Sequence, residues 1–352
     1  MKLLHVVGAR PNFPKLAPVH RAAHARGLDQ IVVHTGQHYD ESLSAGFFRD
    51  LGIPAPDVNL TVGSATHAVQ TARIMERIEP VLLDAKPDWV VVYGDVNSTM
   101  AAAIVASKLH QRVAHVEAGL RSNDRQMPEE INRLVTDRLA DLLLTPSRDA
   151  DEQLRREGEP ESEIAFVGNV MVDSLFFALP TARATGFRTS LGADGSHVVV
   201  TMHRPSNVDD PDRLRSIVAA LAEIARDRPV LFPAHPRTRE RLARFGIDAG
   251  QVKLLDPVSY FEMLDLVEGA HAVVTDSGGL QEETTALAVP CFTVRENTER
   301  PVTITEGTNQ LTPNPAVLPD LVRAAVRPSD PQRPEGWDGC AGVRVAEALA
   351  TR

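Results

Sequence analysis

The chain has 352 residues, 43% of them apolar, enough for a large core and more than one compact domain usually holds. With 37 Lys plus Arg against 47 Asp plus Glu, its formal charge of −10 disfavours nucleic acid and anionic membrane surfaces, so an anionic substrate needs a local basic pocket. Two distant cysteines, Cys291 and Cys340, exclude a disulfide framework, a Cys-rich zinc site and a Cys-x-x-Cys redox pair and are expected as buried thiols; with no signal h-region and no window near the ~20 apolar residues of a membrane span, a cytoplasmic protein is expected.

In chain order, short apolar runs at 3–7, 30–34, 89–93, 112–116, 142–145 and 164–167 predict strands. Stretches with apolar residues three and four apart, at 16–25, 100–109 and 129–143, predict helices between them. Runs without alternation suit strands buried on both faces, and helical spacers argue a parallel, doubly wound sheet. After Asn169 the pattern restarts, with strands at 197–201, 230–232, 252–255, 272–275 and 291–294 and helices such as 214–225. A Pro-rich stretch at 328–334 precedes a last helix at 341–350. The fold class is therefore α/β, two Rossmann-like domains with a cleft between them in which the active site is expected.

In open α/β sheets ligands sit beyond the carboxyl ends of the strands. The residues directly after the apolar runs are polar here: Gly8-Ala9-Arg10-Pro11-Asn12, Gly94-Asp95, Glu117-Ala118-Gly119, His203-Arg204, His235-Pro236 and Asp276-Ser277-Gly278-Gly279. The last of these opens a predicted helix. Free N–H groups at its start, two glycines that let a ligand approach, and the Ser277 hydroxyl suit a diphosphate, with Glu283 one turn on to accept from ribose hydroxyls. The competing reading is a tight turn capped by Ser277. Arg10 and Lys15 supply either local positive charge or solvated surface charge. No Gly-x-Gly-x-x-Gly follows the first strand and no P-loop occurs, which disfavours nicotinamide and ATP chemistry.

Asp95 and Glu117 end successive strands and should emerge side by side, with Glu129 or Glu130 beginning the next helix. Clustered carboxylates are costly unless compensated, and such clusters are how acid and base pairs are tuned apart. The alternative is ion pairing with Arg121, Arg125 or Arg133, and Pro128-Glu129-Glu130 is also a good helix start. His203-Arg204 would face this cluster across the cleft. His34 and His38 mimic a zinc pair in spacing, but His34 falls in a strand and no Glu lies between them, so no metal is expected.

An ordered set of motifs gives these residues a family context. Gly8-Ala9-Arg10-Pro11 with Lys15, Thr35-Gly36-Gln37-His38, Gly94-Asp95, His115-Val116-Glu117-Ala118-Gly119-Leu120-Arg121, Pro128-Glu129-Glu130-Ile131-Asn132-Arg133, His203-Arg204, the 276–283 segment and Thr298-Glu299-Arg300-Pro301 follow one another along nearly the full length. In this the sequence resembles the non-hydrolysing UDP-N-acetylglucosamine 2-epimerases. The resemblance implies a glycosyltransferase-B-like fold, with an N-terminal domain of residues 1–169 joined by a C-terminal helix at about 336–352, and a nucleotide-binding domain of residues 170–335. It also implies a homodimer that interconverts UDP-GlcNAc and UDP-ManNAc without an added cofactor, by elimination of UDP to a 2-acetamidoglucal and re-addition. By the same resemblance, Asp95, Glu117 and Glu129 are the acid–base candidates and His203 a catalytic or diphosphate partner. Arg10, Ser277, Gly278 and Glu283 would hold the nucleotide, with Lys15, Arg204, His235, Gly279 and Arg300 completing the binding set.

The chain departs from the family pattern in three places. Many members carry Arg-Pro-Glu where it has Arg10-Pro11-Asn12-Phe13-Pro14, and His-Arg-Arg-Glu where it has His203-Arg204-Pro205-Ser206-Asn207, so a different sugar or nucleotide pocket is expected. Tyr39-Asp40-Glu41-Ser42 is unlike the Arg- and Gln-containing helix that binds an activating second UDP-GlcNAc in bacterial members, so the resemblance does not extend to activation by substrate. An epimerase of another sugar nucleotide, a hydrolysing 2-epimerase and a glycosyltransferase of the same fold are the alternatives.

Overall fold

A computed structural model describes residues 1–37, 51–193, 195–329 and 333–352. His38, the 39–42 segment and the side chain of Arg10 lie outside the described residues. The chain divides into two units, Met1–Phe177 with Glu335–Arg352, and Ala178–Pro334. Among the described residues no helix is long and apolar enough to cross a membrane.

The first unit is built on β1 (Lys2–Val7), β2 (Asp29–His34), β3 (Val58–Asn59), β4 (Trp89–Tyr93), β5 (Val113–Val116), β6 (Leu142–Thr145) and β7 (Ile164–Phe166). They form one parallel sheet in the order β3-β2-β1-β4-β5-β6-β7. Every residue of β4 is buried, as expected of a β-branched run covered on both faces. Covering helices include α1 (Phe13–Ala25), α2 (His67–Ala85), α3 (Asn97–Lys108), α4 (Pro128–Leu139) and α5 (Arg148–Glu157). The alanines Ala101, Ala102, Ala103 and Ala106 let α3 lie close to the sheet with no exposed surface left on them.

Two expectations are corrected here. The helix predicted to 143 ends at Leu139, where Ala140 turns extended, because Asp141 accepts a bond from Val113 N (2.8 Å) and starts the pairing of β6 with β5. Cys291 is buried, but Cys340, the residue preceding the C-terminal helix Ala341–Thr351, is exposed.

That terminal helix is fixed to the first unit by α6 (Val170–Thr185), where Asp173 accepts from Ala341 N (3.1 Å) and Gly342 N (2.7 Å). Gly342 lies so close to α1 that a Cβ on it would meet the Pro18 carbonyl at 2.6 Å. Pro18 itself sits inside α1 and has no N–H for the carbonyl of Pro14. Ser174 Oγ donates to that carbonyl instead, at 2.5 Å.

The second unit repeats the plan with β8 (Val198–Thr201), β9 (Val230–Pro233), β10 (Lys253–Leu255), β11 (Ala272–Thr275), β12 (Cys291–Thr293) and β13 (Asn309–Leu311), parallel in the order β10-β9-β8-β11-β12-β13. Its helices include α7 (Pro211–Ile224), α8 (Pro236–Arg244), α9 (Tyr260–Glu268), α10 (Gly278–Ala286) and α11 (Leu318–Ala324). In each unit the strand order reverses beside its first strand, between β1 and β4 and between β8 and β11. A doubly wound sheet opens a ligand crevice at such a reversal.

Candidate active site

In the first unit, Asn12 ties the loop after β1 to the end of β4. Its Oδ1 accepts from Gly8 N (3.1 Å) and Ala9 N (3.2 Å), and its Nδ2 donates to Tyr93 O (2.8 Å). This first departure from the family pattern is therefore a buried brace of the loop. From α1, Lys15 reaches beneath the loop after β4 and pairs with Glu117 at 2.6 Å, both side chains being almost fully buried. Gly94 makes room for it, because a Cβ there would meet Lys15 Nζ at 2.5 Å. Lys15 is thus an internal counter-ion, not a solvated charge. Glu117 holds a positive φ of 74°, a strained conformation for a side-chain-bearing residue.

The rest of the 115–121 motif explains how that loop is held. Asp137 of α4 accepts from His115 Nδ1 (2.5 Å), Gly119 N (3.1 Å) and Arg121 Nη1 (2.7 Å). His115 Nε2 donates to Gly94 O (2.8 Å), which joins the turn before Asp95 to the strand before Glu117. Burial alone would raise the Asp137 pKa, but His115 and Arg121 hold it below the usual carboxylate range.

Asp95 follows β4 and Glu117 follows β5, and these are neighbouring strands. Asp95 pairs through Oδ2 with Arg133 Nη1 (2.5 Å), one of the arginines anticipated for it, and the same guanidinium binds Glu130 (2.6 Å). Glu130 is an anchor: it accepts from Ser122 N, Ser122 Oγ and Asn123 N, each at 2.9 Å. Glu129, the adjacent residue, is exposed. Asp95 and Glu129 line one cavity of about 370 Å³, together with Gln37, Gln70, Asn97 and Asn132. Gln37 is held there by Ser98, whose Oγ donates to it at 2.7 Å. His34 is buried and stacked on Phe13 at 5.5 Å.

In the second unit, Asp276 follows β11 and is fully buried. Its carboxylate accepts from His203 N (3.0 Å), Arg204 N (2.9 Å) and Asn207 Nδ2 (3.2 Å), and pairs with His203 Nδ1 at 2.9 Å. Burial would raise its pKa, but these donors, His203 first, hold it low. Asn207, the second departure from the family pattern, is another buried brace and also donates to Val294 O (2.9 Å).

Ser277 occupies the N-cap position of α10, yet its side chain makes no capping bond, so the capped-turn reading does not hold. The first N–H groups of that helix carry the partial positive charge that suits an anion. Gly278 is packed from within, since a Cβ would meet Arg300 Nη1 and Glu299 Oε1 at 2.8 Å, whereas a Cβ on Gly279 would meet nothing within 4 Å. Arg300 pairs with Glu299 (2.6 Å) and Glu282 (3.0 Å), and Glu299 also binds Arg295 (2.8 Å). Although burial opposes it, Arg300 and Arg295 hold Glu299 well below the usual carboxylate range. Burial pushes Glu283 up to about 7, against a lowering bond from Tyr260. His235 caps α8, accepting from Arg237 N (3.2 Å), and its ring lies 6.5 Å from that of His203.

The structure thus groups Asp95 with Glu129, Lys15 with Glu117, and His203 and Arg204 with the Ser277 turn. Sequence reasoning gave no role to Asp137 and Asp276, buried carboxylates whose partners lie on other elements, or to Glu299, whose partners Arg295 and Arg300 lie in its own loop. The only signal for Asp276 and Glu299 was their place inside motifs, and Asp137, beyond the 128–133 motif, carried none.

Two doubly wound parallel sheets, one bearing a carboxylate-lined cavity and the other an open glycine at a helix start, define a glycosyltransferase-B-like α/β protein. Residues 20–350 match the family model described as UDP-N-acetylglucosamine 2-epimerase. The chain is 45% identical over 322 residues to the UDP-N-acetylglucosamine 2-epimerase of Methanocaldococcus jannaschii, covering 88% of each. It is 44% identical to the UDP-2,3-diacetamido-2,3-dideoxy-D-glucuronate 2-epimerase of Pseudomonas aeruginosa, covering 99% of each. A crystal structure of the Methanocaldococcus jannaschii enzyme with UDP-GlcNAc and UDP superposes with a TM-score of 0.89 at 41% identity, covering 100% of both chains. The chain belongs to the UDP-N-acetylglucosamine 2-epimerase family and is a sugar-nucleotide 2-epimerase.

Proposed function

We propose that the protein interconverts UDP-GlcNAc and UDP-ManNAc by eliminating and re-adding UDP. The observation that carries this reading is the convergence of Asp95 and Glu129 on one cavity, with Glu117 leaving the neighbouring strand. The C2 proton of the sugar is not next to a carbonyl and is too weakly acidic for direct removal within an enzymatic barrier. Departure of the diphosphate breaks the C1–O bond and builds oxocarbenium character at C1, which acidifies C2–H. A carboxylate then takes the proton, leaving a C1=C2 double bond and free UDP. Protonation of C2 from the opposite face and return of the UDP oxygen to C1 complete the inversion. A base is needed on one face and an acid on the other, which matches a set of carboxylates.

In this reading Arg10, His203, Arg204 and the α10 start stabilise the leaving diphosphate, and Glu283 takes the ribose. The sequence of steps is redox-neutral and calls on no added cofactor. A homodimer belongs to the same reading and is measured by sedimentation.

The similarity to the Pseudomonas aeruginosa enzyme raises a uronate as a second substrate. The cavity's described lining includes four carboxamides, two carboxylates and His67, and the exchange experiment distinguishes the two sugars. Proton NMR of the purified protein with UDP-GlcNAc in deuterated water tests the proposal. Deuterium at C2 together with UDP-ManNAc is the expected result. An unchanged UDP-GlcNAc spectrum beside turnover of the diacetamido uronate would overturn the substrate, and free N-acetylmannosamine formed in step with UDP would make the enzyme a hydrolase.

A further inference from the structure

We infer that Asp276 is a positioning residue for His203, fixing its ring with the proton on Nδ1 so that Nε2 is the atom offered to the diphosphate; this rests on the reading above. A neutral imidazole has one donor and one acceptor nitrogen, and the partner of one sets the role of the other. Asp276 Oδ1 lies 2.9 Å from His203 Nδ1, and the carboxylate is fully buried while the His203 side chain is 47% exposed. An ionised carboxylate only accepts, so Nδ1 carries the hydrogen and the exposed edge of the ring presents Nε2.

The carboxylate is itself immobilised. His203 N, Arg204 N and Asn207 Nδ2 all donate to it, so it cannot swing away from the ring. Its backbone carbonyl accepts from Arg204 Nε at 3.0 Å, and Ser277 is the next residue in the chain. The strands that carry the two halves are paired, Thr201 opposite Thr275. One buried residue therefore sets the imidazole, the Arg204 guanidinium and the start of the anion-binding turn in fixed relation, with its Oδ1 shared between His203 N (3.2 Å) and the ring Nδ1 (2.9 Å).

The test combines two readouts on the full-length protein. Nitrogen-15 NMR of histidine-labelled wild type, with His203 assigned by its loss in His203→Asn, should show the neutral ring protonated at Nδ1. A ring protonated mainly at Nε2 overturns the inference. In deuterium-exchange kinetics, Asp276→Asn should lower kcat by roughly 10- to 100-fold with KM changed much less, as for other outer partners of functional histidines. The double variant Asp276→Asn/His203→Asn should be no slower than His203→Asn alone, because the two act as one unit. Additive losses would reduce Asp276 to a structural brace. If Asp276→Asn does not fold, the wild-type tautomer decides the matter. Absence of C2 exchange in the wild type would sink the epimerase reading, while the tautomer would still be read without turnover.

Discussion

Glu283 and Glu117 are both buried carboxylates, yet they are compensated differently. Glu283 has its pKa raised from 4.5 to about 7 by burial, with Tyr260 opposing and Glu282 adding to the rise. Between those values the folded chain holds a proton that the unfolded chain releases, so stability falls as pH rises through the window. Above it the charged group costs on the order of 3 kcal/mol relative to a neutral one. Glu283→Gln should therefore raise Tm at pH 8 and change it little at pH 4, while weakening UDP binding. Calorimetry at the two pH values checks this, and equal shifts at both would exclude a buried carboxylate as the cause. Glu117 instead has the Lys15 ammonium at 2.6 Å. Removing one member of a buried pair costs about 3–5 kcal/mol, because the other charge is left alone. Glu117→Gln should thus lose both turnover and stability, and the double variant Lys15→Met/Glu117→Gln should recover much of the stability and none of the turnover. Denaturant unfolding beside the exchange assay separates the two effects.

At the scale of elements, the legible parts were those governed by local pattern. Strands β4 and β5 were visible because both their faces are buried, which removes polar alternation from the sequence. β3 and β13 were not, since two or three residues such as Val58-Asn59 and Asn309-Gln310-Leu311 carry no apolar run. The carboxylates at strand ends were legible from position alone, whereas Asp137 meeting Arg121 and Asp276 meeting His203 depend on chain returning from far away. The helix α1 was predicted from its apolar spacing, but what satisfies the Pro14 carbonyl stranded by Pro18 was not, because Ser174 comes from far along the chain. Ser174→Ala should cost about 1–3 kcal/mol, the penalty of an unsatisfied buried carbonyl. In a Pro18→Ala background, where the helix supplies its own N–H, the same change should cost clearly less. A double-mutant cycle by urea unfolding measures the difference, and equal costs in both backgrounds would show that Ser174 acts through something else.

For the whole molecule, the proposed function puts the chemistry on one sheet and the nucleotide on the other, which would make them separable by mutation. Asp95 is held to its surroundings by its backbone carbonyl, which accepts from Asn132 Nδ2 (2.8 Å), and its ion-pair partner Arg133 keeps Glu130 when the Asp95 charge is removed. Asp95→Asn should therefore fold normally, bind UDP within about twofold of wild type, and lower turnover by 10² or more, the usual scale for a lost acid or base. Gly279 is the converse case. A Cβ there meets nothing within 4 Å, so a side chain at this position starts in open space, and Gly279→Val stands over the helix start where a diphosphate would approach. Its Tm should stay close to that of wild type while UDP affinity falls at least tenfold, as read by titration calorimetry. Wild-type UDP affinity in Gly279→Val would remove the α10 start from the nucleotide site and leave the diphosphate to Arg10, His203 and Arg204.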